Sequence, residues 1–290
     1  MKDFSGIYPA LVTPFVNGDE IDESALAALI EWNIAKGVHG FYVCGSTAEV
    51  FLLSEAERRC LMKLTKEIVG DRVHLIVQCG STNPREAQSL AKYAEELGYD
   101  AVSAVAPFYY KFNFEEVLDY YRSIRDAVSL PIFPYNIPLF SGVSMSGDQL
   151  IRLLDDDRFV GIKHTSNDYY QMEQMRRAYP YKILFNGFDE MFLSGMIAGA
   201  SGGIGSTYNY MADKYLAMYN LFRAGKIEEA REIQHIVNRP IDVFGKFGGI
   251  PCVKAILKLM DIGDGTCRRP FTDCTKEAYD YLEKNVLPLI

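Results

Sequence analysis

The chain has 290 residues, of which 49% are hydrophobic and 23% are charged, and its formal net charge is -8. A chain of this length and hydrophobic content can bury a large core, and it suits either one α/β barrel or two small domains. Acidic residues are in excess along the whole chain, which argues against nucleic-acid binding because that needs clustered Lys and Arg. The net negative charge also repels anions, so any anionic substrate must be bound by local groups.

Several other function classes are disfavoured by simple residue patterns. No signal-peptide pattern follows the first residues, and no segment approaches the ~20 apolar residues of a membrane span, so we expect no membrane association. The six cysteines include no CxxC pair and indicate reduced thiols in the cytoplasm. The four histidines lack the spacing of a metal site, so we expect no metal ion.

Short β-rich runs alternate with helical stretches along most of the chain. The runs are mostly continuous apolar segments, as expected of parallel strands that are covered on both faces. The predicted strands are Gly6–Val12, Gly40–Cys44, Val73–Cys79, Ala101–Ala106, Pro131–Asn136, Phe159–His164, Lys182–Asn186 and Gly202–Ser206. Eight such strand–helix units predict an α/β fold of the (β/α)8 TIM-barrel class. An open doubly wound sheet is the alternative, disfavoured because no GxGxxG turn follows the first strand.

The C-terminal part of the chain carries a different pattern. From about residue 226 the strand signal ends, and the segments Ile227–Phe244, Val253–Met260 and Thr275–Lys284 are predicted to be helical. The chain has no repeat beyond the βα unit and no linker-like stretch. We therefore expect a single domain over 1–290, with a barrel over 1–225 and a C-terminal helical appendage over 226–290.

The candidate site residues follow from the predicted strand ends, where barrel active sites gather. The second strand leads into Gly45-Ser46-Thr47, whose hydroxyl and backbone N–H groups can bind a carboxylate or phosphate. An ordinary βα loop is the alternative for this segment. The eighth strand leads into Gly205-Ser206, which marks either a phosphate site or close strand packing.

Two residues near the ends of the fifth and sixth strands can carry covalent and proton-transfer chemistry. Tyr135 can donate and accept a proton through its phenol, although a packed barrel tyrosine is the simpler alternative. Lys163 closes an apolar run, and a partly buried amine can act as a nucleophile towards a ketone. The alternative is a lysine that reaches water at the rim. His164 beside it is expected to point the other way and to be structural.

The seventh strand leads into Gly187-Phe188-Asp189-Glu190, where adjacent acids follow a glycine. Such acids can accept hydrogen bonds from sugar hydroxyls, or they can complement the N-terminus of the next helix. No Walker-type GK[ST] occurs, so a nucleotide site is disfavoured.

These motifs together resemble the family of pyruvate-dependent class I aldolases that contains dihydrodipicolinate synthase and N-acetylneuraminate lyase. The resemblance covers essentially the whole chain. Its most specific stretches are Gly45–Glu49, Ser103–Tyr110, Tyr135–Pro138, Gly161–Ser166, Asp168–Glu173, Asn186–Glu190 and Gly202–Asn209.

The resemblance implies a reaction and a role for each motif. Lys163 is expected to form an imine with the C2 ketone of N-acetylneuraminate, and Tyr135 to move the proton as the C3–C4 bond breaks. No metal or organic cofactor is then needed, because the protonated imine is the electron sink. Ser46 and Thr47 are expected to hold the C1 carboxylate. The residues expected to contact the sugar hydroxyls are Thr165, Gly187, Asp189, Glu190 and Ser206.

The resemblance also implies an assembly and a branch of the family. A homotetramer is expected, with Tyr109 in a site completed across a subunit contact. Synthases of the family place an arginine where this chain has Phe140, which cannot form a bidentate bond with a second carboxylate. This favours the N-acetylneuraminate-cleaving branch. The alternatives are an aldolase of 2-keto-3-deoxy sugar acids and a non-catalytic sensor of sialic acid or pyruvate.

One residue departs from the family pattern. The carboxylate-binding turn usually has a second glycine where this chain has Ala48. Alanine in a backbone with positive φ costs on the order of 1 kcal/mol. We therefore expect this turn to keep a φ that alanine adopts without strain.

Overall fold

The computed structural model describes residues 2–17 and 19–290. The contacts divide the chain into two compact units. The first comprises the chain up to Gly6 together with His74–Ile204, and the second comprises Ile7–Val73 and Gly205–Ile290.

Residues 2–17 and 19–290 form ten strands, of which eight match the predicted ones, each shortened by one to three residues. The strands, in chain order, are β1 (Gly6–Pro9), β2 (Phe15–Val16), β3 (Glu20–Ile21), β4 (Gly40–Val43), β5 (His74–Gln78), β6 (Ala101–Val105), β7 (Ile132–Asn136), β8 (Gly161–His164), β9 (Ile183–Asn186) and β10 (Gly202–Gly205).

The helices that separate and follow these strands make up most of the rest. They are α1 (Glu23–Lys36), α2 (Glu55–Val69), α3 (Pro84–Leu97), α4 (Phe114–Arg125), α5 (Pro138–Ser141), α6 (Gly147–Leu154), α7 (Tyr169–Ala178), α8 (Phe192–Ile197), α9 (Tyr208–Arg223), α10 (Ile227–Ile241), α11 (Phe244–Phe247), α12 (Gly249–Leu259) and α13 (Lys276–Asn285). The 3-10 segments are Ser46–Ala48, Val50–Leu52, Asp189–Met191 and Leu287–Leu289.

The first unit is built on parallel strands that follow one another along the chain. Strands β5 to β9 pair as successive parallel neighbours, and β10 pairs with β9. The residues of β6, β7 and β8 are all buried, as apolar strands covered on both faces require. Gly6 donates its N–H to the carbonyl of Ser201, 3.0 Å away, which sets the start of β1 beside the start of β10.

The second unit combines the first strands with the C-terminal helices. Ala10 and Tyr42 form a parallel bridge just beyond β1 and within β4. Strands β2 and β3 form a short antiparallel hairpin, which the sequence did not predict because each has only two residues. Ser54 and Glu57 form both halves of a capping box at the start of α2.

The fold is a (β/α)8 barrel with a C-terminal helical part, which confirms the predicted class. All eight long strands belong to one sheet whose order follows the chain. A doubly wound sheet would reverse its strand order at a switch point, so that alternative is wrong. The C-terminal helices occur where they were predicted, as α10, α12 and α13. The division into a barrel over 1–225 and an appendage over 226–290 stays a prediction. In the part of the chain described here, no helix is long and apolar enough to cross a bilayer.

Candidate active site

The predicted site residues lie at carboxyl ends of strands, with the exception of Tyr109. Tyr135 and Lys163 are the penultimate residues of β7 and β8. The residues that directly follow β8, β9 and β10 are Thr165, Gly187 and Ser206. In a parallel barrel these ends form the face on which active sites are built.

Lys163 and Tyr135 contact each other within the first unit. They are register partners on the paired strands β7 and β8, so their side chains point to the same face of the sheet. The Lys163 Nζ lies 4.2 Å from the centroid of the Tyr135 ring. Lys163 is 4% exposed and Tyr135 is 3% exposed. The lysine therefore does not reach water at the rim, and its amine lies against the π face of a buried phenol.

His164 and Asn136 form a polar pair beside this contact. Both are buried, and the Asn136 Nδ2 lies 3.0 Å from the His164 Nδ1. Burial lowers the pKa of His164 to about 4, although Asp168 opposes the shift, so the ring is neutral at pH 7. The Asn136 carbonyl also accepts the N–H of Thr165 at 2.8 Å. These contacts suit a structural role for His164, which stays a prediction.

Thr165 and Gly187 pack directly against each other. A Cβ added to Gly187 would overlap the Thr165 hydroxyl and lie 2.8 Å from its Cβ, so the position requires glycine. The Thr165 Oγ1 is buried and has no hydrogen-bond partner among residues 2–17 and 19–290. A buried hydroxyl without a protein partner can donate a hydrogen bond to a substrate hydroxyl or accept one from it.

The two acidic residues lie on a segment held by Asn186 and Tyr169. The Tyr169 hydroxyl donates to the Asn186 Oδ1 at 3.0 Å, and the Asn186 Nδ2 donates to the Phe188 carbonyl at 2.6 Å. Burial raises the pKa of Tyr169, so its hydroxyl stays protonated as a donor. Asp189 is buried and Glu190 is half-buried. Asn186 and Tyr169 were not singled out from sequence, although an asparagine closing an apolar strand is a usable signal.

The Ser46–Thr47 turn lies in the second unit. A Cβ on Gly45 would lie 2.9 Å from the Tyr42 ring, which accounts for a glycine at the entry to the turn. Ser46 is half-buried and Thr47 is buried. The Thr13 hydroxyl donates to the Ala48 carbonyl at 2.8 Å and so ties the turn to the chain after β1.

Ala48 does not need positive φ, as expected. It lies in the 3-10 segment Ser46–Ala48, and the left-handed conformations fall on Cys44 (φ 55) and Glu49 (φ 57) instead. The strain is thus carried by the residues that flank the segment, and alanine is tolerated inside it.

Tyr109 lies apart from the strand ends, on an exposed segment. It is 85% exposed and has a φ of 79°, which is rare for a residue with a Cβ. Its ring contacts Tyr110 at 5.0 Å between centroids, and Tyr110 lies 6.2 Å from Phe112. These three rings form an exposed aromatic patch.

The chain also matches a known family along almost its whole length. Residues 3–287 match the model of the Dihydrodipicolinate synthetase family. The chain belongs to this family. The matched range includes Lys163, Tyr135 and the Ser46–Thr47 turn.

Members of the Dihydrodipicolinate synthetase family that are similar to this chain include named lyases. An N-acetylneuraminate lyase from Citrobacter koseri is 45% identical over 273 residues, covering 93% of this chain and 92% of the relative. A solved N-acetylneuraminate lyase from Fusobacterium nucleatum is 38% identical, with a TM-score of 0.93 over 99% of both chains. The structure of CdNal from Clostridium difficile, in complex with mannosamine, is 39% identical, with a TM-score of 0.96 over 100% of both chains.

Phe140 occupies the position by which the sequence analysis separated the synthases of the Dihydrodipicolinate synthetase family from its N-acetylneuraminate-cleaving branch. It lies in α5, directly after β7, and is 72% exposed. A phenyl ring offers no hydrogen-bond donor, so it cannot hold a second substrate carboxylate.

Proposed function

We propose that this chain is an N-acetylneuraminate lyase, which cleaves N-acetylneuraminate reversibly to N-acetylmannosamine and pyruvate. It is a carbon–carbon lyase of the class I aldolase type. The observation that carries the proposal is the buried amine of Lys163 against the Tyr135 ring, in a chain 45% identical to a named lyase.

The reaction begins with attack of the Lys163 amine on the C2 ketone of the open-chain sugar acid. One proton is taken up, the C2 oxygen leaves as water, and a protonated imine forms between Nζ and C2. The C3–C4 bond then breaks, and its electron pair moves into the imine to give an enamine. The C4 hydroxyl loses its proton towards Tyr135, and C4 becomes the aldehyde of N-acetylmannosamine.

The second half of the reaction restores the enzyme. The enamine takes a proton at C3, and water hydrolyses the imine to release pyruvate and free Lys163. The imine itself supplies the electron sink, so the chemistry proceeds through protein groups and substrate alone.

Substrate recognition is assigned from the family resemblance and supported by residue chemistry. The hydroxyls of Ser46 and Thr47 bind the C1 carboxylate. The buried Thr165 hydroxyl and the acids Asp189 and Glu190 suit a neutral polyol. The residues assigned to the sugar hydroxyls are Thr165, Gly187, Asp189, Glu190 and Ser206.

We further propose a cytoplasmic homotetramer. The exposed aromatic patch of Tyr109, Tyr110 and Phe112 supports a subunit contact, because large exposed apolar groups mark interaction sites. Tyr109 is then covered by a second copy of the chain. No disulfide joins the six cysteines, all of which lie among the described residues, and this suits a reducing compartment.

The decisive experiment is borohydride reduction in the presence of pyruvate, combined with an assay of N-acetylneuraminate cleavage. We expect a pyruvyl adduct on Lys163, located by peptide mapping, and release of N-acetylmannosamine. Lys182→Met is the matched control, because Lys182 is equally buried but donates to the carbonyls of Asp156 and Phe159. It should keep the adduct, and Lys163→Met should lose it.

Other outcomes identify the competing functions. An adduct with no N-acetylneuraminate cleavage, but with cleavage of a 2-keto-3-deoxy sugar acid, would replace the substrate and keep the imine. Binding of sialic acid without an adduct or turnover would identify a sensor and defeat the proposed chemistry.

A further inference from the structure

Glu49, directly after the Ser46–Ala48 segment, is a buried acidic residue with a left-handed backbone. It is 3% exposed, and its backbone adopts the left-handed conformation with φ 57° and ψ 32°. A buried carboxylate requires partners, and a left-handed residue with a Cβ must be held by its surroundings. The Glu49 N–H donates to the Ser46 carbonyl at 3.0 Å, so a movement of Glu49 is passed to Ser46.

Both carboxylate oxygens of Glu49 have partners from the C-terminal part of the second unit. Lys254, on α12, forms an ion pair with the Oε1. The backbone N–H of Arg268 donates to the Oε2 at 2.7 Å. Lys254 is 3% exposed and also donates to the Thr266 carbonyl at 2.9 Å. Burial lowers the pKa of Lys254 and Glu49 opposes that shift, so the charged amine depends on the carboxylate.

The Arg268 backbone is held in turn by its own side chain. The guanidinium pairs with Glu57 at 2.6 Å and with Asp19 at 3.2 Å. It also lies over the ring of Phe15, as does the ammonium of Lys254. Glu57 belongs to the capping box that begins α2, so the Arg268 N–H is anchored to a rigid helix start.

We propose that Lys254 and Arg268 are positioning residues for the carboxylate-binding turn. By holding both oxygens of Glu49, they keep its backbone left-handed and so set the direction of the Ser46 and Thr47 hydroxyls. The inference rests on the proposed function, which assigns the C1 carboxylate to this turn.

The test is the variant Lys254→Met, which leaves the Glu49 carboxylate buried beside an apolar group. The turn should shift to relieve the unpaired charge. The pyruvate concentration that half-saturates borohydride trapping should then rise about tenfold or more, as expected when a charge-assisted hydrogen bond is misplaced. The KM for N-acetylneuraminate should rise with it, while kcat per trapped active site changes much less.

Lys182→Met separates positioning from stability. It also removes a buried lysine, but one whose amine donates to the backbone carbonyls of Asp156 and Phe159 and not to the turn. We expect it to lower the Tm without changing the half-saturating pyruvate concentration. A Lys254→Met variant that behaves in the same way would overturn the proposal.

A second variant decides the matter if Lys254→Met does not fold. The double variant Glu49→Gln with Lys254→Met removes both charges, so no buried charge is left unpaired, and stability should recover. The half-saturating concentration should stay high because the Lys254 contact that holds the left-handed residue is still lost. A folded double variant with wild-type half-saturation would refute the inference. A wild-type chain that forms no adduct would instead defeat the proposed function.

Discussion

The chemistry proposed for Lys163 depends on its immediate neighbours. Register places Tyr135 on one side of it and Phe185 on the other, in the two adjacent strands. A lysine that is 4% exposed between two aromatic residues is shielded from water, which suits a nucleophilic amine. The phenol is the member of this group that can also exchange a proton.

Tyr135→Phe should keep imine formation and lose most cleavage. The ring against the amine remains, but the group that moves the proton is lost, and such groups contribute roughly 100-fold or more. Borohydride trapping and steady-state cleavage measure the two steps separately. Tyr121→Phe is the control, because the Tyr121 hydroxyl is buried with no hydrogen-bond partner among the described residues. Cleavage by Tyr135→Phe at the wild-type rate would remove the tyrosine from the mechanism.

Gly187→Ala should weaken binding of the sugar chain. The added methyl group would overlap the Thr165 hydroxyl and force it to turn away. We expect a higher KM for N-acetylneuraminate, while trapping with pyruvate, which lacks the sugar chain, keeps its half-saturation. Gly245→Ala is the matched control, since a Cβ there meets nothing within 4 Å. An unchanged KM in Gly187→Ala would show that Thr165 does not contact the substrate.

At the scale of the elements, β7 and β8 are joined by further contacts in addition to the backbone hydrogen bonds of the sheet. The Asn136–His164 side-chain contact and the bond from Thr165 N–H to the Asn136 carbonyl connect the two strand ends. The strands that carry Tyr135 and Lys163 are thereby held in register at the point where the chemistry is proposed.

This link predicts a loss of stability in acid. The pKa of His164 is about 4 in the folded chain, against 6.5 for an unperturbed histidine, so the unfolded chain binds more protons between these values. The free energy of unfolding should therefore fall as the pH drops from about 6.5 to about 4, by up to about 3 kcal/mol from this residue.

Urea unfolding at pH 7 and pH 4.5 measures this dependence. His164→Asn keeps an oxygen near the position of the Nδ1 and has no group that titrates in this window. The loss of unfolding free energy between the two pH values should be smaller in this variant than in the wild type. Equal losses would mean that other groups cause the acid sensitivity.

At the scale of the whole molecule, the aromatic patch predicts self-association. Tyr110 is 67% exposed, and a charge placed there would be buried by a second copy at a high cost. Tyr110→Glu should reduce the mass measured by analytical ultracentrifugation below that of a tetramer. Tyr281→Glu is the control, on an α13 tyrosine that is 40% exposed. A wild-type monomer would contradict both the tetramer and the role given to Tyr109.

The sequence by itself determined the fold class and the positions of the candidate residues. Continuous apolar runs and helix signals are local patterns, so the eight strands and the three C-terminal helices could be predicted from neighbouring residues alone. Lys163 and Tyr135 were found by the same route, because a barrel places its site at strand ends that the pattern marks, whereas Gly187 was named only from the family resemblance.

Only the tertiary structure decided how those residues are surrounded. Burial of Lys163 against Tyr135 depends on the register of two strands, which no local pattern specifies. The bond between Arg268 and Glu49 joins residues 219 positions apart, and the Lys254 ion pair likewise spans most of the chain. The usable sign was weak, because the apolar segment Pro251–Leu259 contains two lysines, Lys254 and Lys258. The tertiary structure also showed which residues of the Ser46–Ala48 turn are strained. Cys44 and Glu49 have positive φ and Ala48 does not, because contacts with distant residues fix the backbone on either side of it.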